Sequence, residues 1–196
     1  MIITKTPFRM SFFGGGTDME EYFRENEGAV LSTTFDKYCY VNVRHLPRFF
    51  DYSTELSYSK TERVTDINDI QHPAIREAMK MLDMREIRLT YEADLPARSG
   101  LGTSSSFAVG MLNAFYALKG KYADKKKLAD EAIYLERVLC NESGGWQDQI
   151  AASFGGFNRI NFNSDGYEVL PVIISPERKK MLNDNLLMFF TGFTRC

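Results

Sequence analysis

With 196 residues, a formal charge of −2, and 44% hydrophobic against 26% charged residues, the chain has the make-up of a soluble globular protein long enough for one sizeable core. That balance excludes a strongly basic surface of the kind that grips nucleic acid or an anionic membrane, so neither is expected as a partner. Cys39, Cys140 and Cys196 are widely spaced and odd in number, and His45 and His72 stand alone, which argues against zinc or a disulfide framework and for reduced thiols in the cytoplasm.

Residues 2–13 read as an extended segment in which Pro7 marks an edge or a break. The first residues carry no signal-peptide pattern. Gly14-Gly15-Gly16-Thr17-Asp18 follows, then a short acidic helix over 19–26 with Thr17 or Asp18 as its cap. Residues 29–35 and 38–46 are predicted as two strands joined by a hairpin turn at Asp36-Lys37. Residues 51–64 are polar and β-friendly, enough for a further strand or hairpin. Ile75, Ala78, Met79 and Leu82 recur at helical spacing, and Pro73 suits the first turn, so 72–82 is predicted helical.

Residues 87–93 alternate as a strand and deliver the chain to a glycine loop, Asp94 to Gly102, from which a central helix runs over 103–118 and stops at Gly120. That helix holds the longest apolar run, which is too short for a bilayer and is broken by Gly110 and Asn113. A second helix is predicted over 125–139, with Leu128, Ala132, Leu135 and Leu139 as its inner stripe and Glu131 and Glu136 on or beside it. Gly144 to Gln149 breaks and restarts the chain. Strands are predicted over 154–162 and 167–172 around the turn 163–166, then a short helix over 176–182 and a strand over 186–193. Strands first, helices next and strands last argue an α+β fold. A chain that stops just after a buried strand suggests one domain over 1–180, with 181–196 beginning a second domain otherwise missing.

Three polar islands interrupt the apolar pattern: Arg9 to Asp18, the glycine loop, and Gly144 to Gln149. In the loop, Gly100 and Gly102 can take positive φ and let a ligand approach the backbone. Thr103, Ser104, Ser105 and Ser106 then open a helix whose free N–H groups and dipole form an anion site, and whose hydroxyls suit the cap or a magnesium ion. A turn with an N-cap and no ligand is the plain alternative; the absence of an acidic residue in the first turn favours phosphate. No lysine follows the second glycine, so this is not the P-loop.

Phosphoryl transfer needs a phosphate cradle, a metal site, a cation and a carboxylate near the attacking hydroxyl. Arg9 is a candidate for the cation, or an ordinary salt-bridged strand residue. Asp148 is a candidate for the carboxylate, or the cap of a short helix. Glu136 either faces the metal or lies on a helix surface. Trp146, the single tryptophan, belongs either to the core or to a sugar site.

Taken together, Pro7-Phe-Arg-Met-Ser-Phe-Phe-Gly-Gly-Gly-Thr-Asp18, Pro96-Ala-Arg-Ser-Gly-Leu-Gly-Thr-Ser-Ser-Ser106 and Gly145-Trp-Gln-Asp-Gln149 resemble, in order and spacing, the first motif, the second motif or ATP phosphate loop, and the catalytic-aspartate segment of the GHMP kinase superfamily. With His72-Pro-Ala-Ile-Arg-Glu77, the pattern is most similar to the branch acting on D-glycero-D-manno-heptose 7-phosphate. The resemblance implies a ribosomal-protein-S5-like α+β domain and ATP-dependent phosphorylation of an anomeric C1 hydroxyl, giving a heptose 1,7-bisphosphate for nucleotide-heptose and surface-glycan synthesis. It implies ATP on Pro96, Arg98, Ser99, Gly100, Leu101, Gly102, Thr103, Ser104 and Ser105, and Mg²⁺ on Ser104 and Glu136. Asp148 and Arg9 would be catalytic. Gly15, Gly16, Thr17, Asp18, Trp146 and Gln147 would meet the sugar phosphate. Arg44, Arg48 and Arg98 are candidates for its 7-phosphate. A homodimer is compatible with this reading.

Two features depart from the wider family. Gly15 and Gly16 stand where the galactokinase branch has acidic and histidine residues, which argues against galactose. The third, C-terminal glycine-rich motif is missing, so the chain alone is expected to be poorly active. A fucose-type anomeric kinase and a non-catalytic ATP- or metabolite-binding relative are the alternatives.

Overall fold

The computed structural model describes residues 1–96 and 99–189. A seven-stranded sheet organises it. β1 (Ile2–Phe13) and β2 (Gly28–His45) form its spine, antiparallel from Ile2↔Val43 to Phe13↔Leu31. β1 lies along one edge of β2. The opposite edge is shared: β5 (Ile87–Ala93) pairs with residues 39–45 and β6 (Phe157–Asn163) with residues 28–33. β3 (Thr54–Ser57) joins β5 in parallel and β4 (Thr61–Val64) antiparallel, while β7 (Gly166–Pro171) pairs with β6.

Among the described residues, six α-helices accompany the sheet: α1 (Glu20–Asn26), α2 (Pro73–Met81), α3 (Thr103–Leu118), α4 (Lys125–Ile133), α5 (Gln147–Phe154) and α6 (Pro176–Asp184). α3 is apolar nearly all round and is correspondingly buried, packed on β1 and β2. Gly110 permits that approach, since a Cβ there would stand 2.7 Å from Thr6 Oγ1, and Thr4 Oγ1 donates to the Gly110 carbonyl at 2.9 Å. Val41, Val43, Ile75, Met79, Leu89, Met111, Leu112 and Phe115 are fully buried between the sheet, α2 and α3. Phe23, Val30, Ile150, Ile160 and Phe162 make a smaller second core. Cys39 is buried in the sheet, and burial pushes its thiol up to about 12. Among the described residues, no helix is long and apolar enough to cross a membrane.

Several expectations are corrected. The two strands around Asp36-Lys37 are one strand of 18 residues. The polar pair lies in a bulge: between Pro7↔Tyr38 and Arg9↔Thr34, β1 advances by two residues and β2 by four. Neither Thr17 nor Asp18 caps α1, where Met19 holds the N-cap position with no side-chain bond. The helix expected over 125–139 is α-helical only to Ile133 and continues as a π-helical turn, Tyr134–Leu139. α6 runs on past residue 182 to Asp184. Of the strand expected over 186–193, residues 186–189 form no strand and are exposed, and the rest lies outside the described residues, as do Arg98 and Cys196.

His72, just before α2, packs its ring edge-on against Tyr58 at 5.0 Å and at a tilt against Phe107 at 5.5 Å. Its buried Nδ1 has no partner among the described residues, and burial lowers its pKa below the usual 6.5. A histidine depressed in the folded state contributes stability that is complete above pH 6.5 and is lost as pH falls through the folded value. His72→Gln is therefore expected to close the gap to wild type as denaturation midpoints are measured from pH 7 down to ~5. A gap that stays constant over that range would show that His72 does not titrate differently in the two states.

Candidate active site

The bulge in β1 and β2 decides where Arg9 points. Thr4, Thr6 and Phe8 alternate on the buried face, and Arg9 is buried next to Phe8, so the alternation breaks there. Arg9 is only 8% exposed. Its Nε donates to Asp148 Oδ1 at 2.7 Å and its Nη1 to the Gly100 carbonyl at 3.0 Å, while its backbone N–H meets the Leu101 carbonyl at 3.1 Å. One arginine thus ties β1 to the glycine loop and to α5.

Gly100 and Gly102 adopt φ of 78° and 73°, a left-handed conformation that only glycine takes without strain. Gly102 is the N-cap of α3, and a Cβ on it would lie 3.1 Å from Arg9 Cγ and 3.5 Å from Asp148 Cγ. The hydroxyls that follow do not cap the helix. Ser106 Oγ donates to the Pro7 carbonyl at 2.9 Å, and Ser104 and Ser105 reach Glu136, at 2.8 Å to Oε1 and 2.7 Å to Oε2. The first turn of α3 is left without a side-chain cap, in the state in which a helix start receives an anion.

Glu136 is 1% exposed and also accepts from Gln149 Nε2. Burial raises its pKa, and the hydrogen bonds from Ser105, Ser104 and Gln149 oppose that rise. The π-helical turn places Glu136 inward and sets Arg137 beside it; π turns recur at functional sites.

On the other side of Asp148, Asp18 is 2% exposed. Its carboxylate accepts from the backbone N–H of Gly16 at 3.0 Å, from that of Gln147 at 3.1 Å and from Gln147 Nε2 at 3.2 Å. Its carbonyl accepts from the Trp146 N–H at 3.1 Å. Ser11 Oγ donates to Gln147 Oε1 at 2.6 Å. The three polar islands therefore converge on one cavity of about 620 Å³, bordered by Arg9, Ser11, Gly15, Gly16, Asp18, Gly100, Arg137, Gly145, Gln147 and Asp148.

Not every expected residue faces this cavity. The Trp146 ring packs edge-on against Phe23 at 4.8 Å, and Thr17 Oγ1 bonds the Gly14 carbonyl and the Ala29 N–H. Both support the walls. Arg48 pairs with Glu86, and Arg44 lies opposite Arg88, at the far end of β2 from the loop. Ser11, Arg137 and Gln149 were not foreseen. Ser11 had a signal, two residues from Arg9 on a strand; Arg137 and Gln149 depend on a π turn and a helix start that periodicity does not reveal.

Residues 70–156 match the family model described as GHMP kinases N terminal domain. The fold superposes with a TM-score of 0.79 and 26% identity on a crystal structure described as a D-glycero-D-manno-heptose 1-phosphate kinase from Bacteroides thetaiotaomicron, covering 89% of this chain and 61% of that one. Over residues 70–156 the chain carries a GHMP kinase N-terminal domain. The α+β fold expected for that domain is the one observed. D-glycero-alpha-D-manno-heptose 7-phosphate kinase of Campylobacter jejuni is 32% identical over 209 residues, spanning 99% of this chain and 60% of the relative. L-fucokinase/L-fucose-1-P guanylyltransferase of Bacteroides fragilis is 33% identical over 117 residues, 56% of this chain and 12% of the relative. This chain spans less than two thirds of the length of both the heptose kinase and the solved structure.

Proposed function

We propose that this chain is the nucleotide- and sugar-binding part of a cytoplasmic, ATP-dependent kinase that phosphorylates the anomeric C1 hydroxyl of D-glycero-D-manno-heptose 7-phosphate to the 1,7-bisphosphate. The observation that carries the proposal is the Arg9–Asp148 pair, held 2.7 Å apart against the glycine N-cap of an otherwise uncapped helix, on the wall of a cavity. That juxtaposition supplies what phosphoryl transfer requires: N–H donors for phosphate, a carboxylate to take or orient the acceptor's proton, and a guanidinium against the developing charge. The resemblance to the Campylobacter jejuni heptose kinase supports the choice of acceptor.

The Ser104 hydroxyl, exposed and 2.8 Å from the Glu136 carboxylate, is a hard-oxygen pair suited to Mg²⁺, which keeps waters and phosphates as its remaining ligands. Mg²⁺ held there would supply charge neutralisation to the ATP phosphates. A cation would also favour the ionised form of Glu136, which burial alone disfavours. A second domain is proposed from about residue 181 onward, in keeping with the 60% of the Campylobacter jejuni relative that this chain spans.

Fucose is the competing acceptor, on the likeness to the Bacteroides fragilis protein. ADP release by full-length protein over a sugar panel decides between them. Turnover is expected with heptose 7-phosphate, whereas turnover on fucose with none on heptose 7-phosphate would reassign the acceptor. ATP binding with no turnover on any sugar would favour a non-catalytic relative.

A further inference from the structure

Arg137 has no part in the reaction centre described above. It stands on the π-helical turn, next to Glu136, and borders the same cavity as Arg9 and Asp148. Its guanidinium has five N–H donors and few acceptors. Nη1 donates to the Glu142 carbonyl at 2.9 Å, Nη2 forms an ion pair with Glu136 Oε2 at 3.8 Å, too long for a hydrogen bond, and the buried Nε has no partner among the described residues. Arg9, the other cation on the cavity wall among the described residues, is already engaged by Asp148 and Gly100. Asp18 is held by three neutral N–H donors.

The wall beside Arg137 is made to leave it room. A Cβ on Gly144 would press on the guanidinium, 3.1 Å from Nη1 and 3.3 Å from Nη2, and Ser143 and Gly145 also border the cavity there. Ser104, at the proposed metal site, does not border it. A guanidinium that is largely desolvated and short of acceptors is costly next to a neutral ligand, and is well matched to a phosphate, which accepts two parallel N–H bonds from its planar fork.

We infer that Arg137 is the specificity-determining residue for an anionic acceptor: it binds the phosphate that the sugar already carries, and so selects sugar phosphates over neutral sugars. This rests on the kinase reading and adds the chemistry by which the acceptor is chosen.

The test compares wild type, Arg137→Gln and Arg137→Lys of the full-length protein on D-glycero-D-manno-heptose 7-phosphate and on the same heptose without its phosphate. Arg137→Gln is expected to lower the preference for the phosphorylated acceptor, as a ratio of kcat/KM values, by about 10- to 100-fold. Arg137→Lys keeps the charge without the fork and should fall between. A merely structural role would depress both acceptors together and leave the ratio alone, which would overturn the inference. So would a loss confined to the KM for ATP, since the guanidinium would then hold the nucleotide. If wild type transfers phosphate to no sugar, the kinase reading fails separately, and calorimetric titration of nucleotide-free protein with heptose 7-phosphate decides this point alone. Binding by wild type that is lost in Arg137→Gln supports it; absent or unchanged binding refutes it.

Discussion

Asp148→Ala is expected to lower kcat of the proposed kinase by about 10²- to 10⁴-fold, the range for removing a positioned general base. Asp148 stands in the first turn of α5 with its Oδ1 2.7 Å from Arg9 Nε, and its Cγ lies within 3.5 Å of where a side chain on Gly102 would begin. It is therefore adjacent both to the helix start proposed to hold the triphosphate and to the cavity proposed to hold the sugar. Asp148→Asn separates the two roles of the carboxylate. An asparagine oxygen still accepts from Arg9 Nε and preserves the geometry, but it takes no proton. If proton transfer is its task, Asn and Ala are equally damaging to kcat. If Asp148 only orients Arg9, Asn retains most of the activity. The stability cost should separate the two variants in either case. Ala leaves the nearly buried Arg9 with fewer acceptors, worth about 1–3 kcal/mol in denaturant titration, and Asn restores part of that. Wild-type turnover in both variants would remove Asp148 from the mechanism.

The sequence carried some of this arrangement and hid the rest, for separable reasons. The composition of each island was visible because polar and glycine-rich runs stand out against apolar periodicity. The positive φ of Gly100 and Gly102 could be anticipated because few residues other than glycine adopt that conformation. The pairing of Arg9 with Asp148 spans 139 positions and is created by β1, α3 and α5 meeting; no local pattern encodes it, and only the family resemblance suggested it.

Where local signals were misread, tertiary structure had overridden them. Asp36-Lys37 has the chemistry of a turn, yet the strand continues through it, because β1 pairs with β2 on both sides and absorbs the extra residues in a bulge. Thr17 and Asp18 have the chemistry of caps, yet their oxygens are taken by the backbone of Gly14 and Ala29 and by Gln147. The same holds for Ser104 and Ser105, whose hydroxyls turn to a carboxylate from another helix. For Ser104 and Ser105 the partner distant in sequence prevailed, whereas Thr17 and Asp18 divide their oxygens between near partners, Gly14 and Gly16, and distant ones, Ala29 and Gln147. The π turn was hidden because Leu135 and Leu139 fit an α-helical stripe equally well.

Gly145 and Gly15 offer a sharper contrast, because both border the cavity. A Cβ on Gly145 would fall 1.9 Å from Asp18 Oδ2 and 2.9 Å from the Asp18 carbonyl oxygen. Asp18 cannot yield easily, being buried and held by three N–H donors. Gly145→Ala must therefore push Asp18 and the start of α5 apart. Gln147 is bonded to that carboxylate, and Asp148 is the next residue, so the displacement passes directly to the Arg9–Asp148 pair. A shift of ~1 Å there is expected to lower kcat/KM about 100-fold, with ~1–3 kcal/mol lost from overpacking. At Gly15 the nearest atom to an added Cβ is Gln147 Nε2 at 3.9 Å, and its φ lies outside the left-handed region. Gly15→Ala is thus expected to fold as wild type does, any loss appearing in the KM for the acceptor. Side-by-side melting and kinetics of the two variants check the argument. Equal tolerance at both sites would mean that Asp18 does not anchor the start of α5, and that Asp148 owes its position to Arg9 alone.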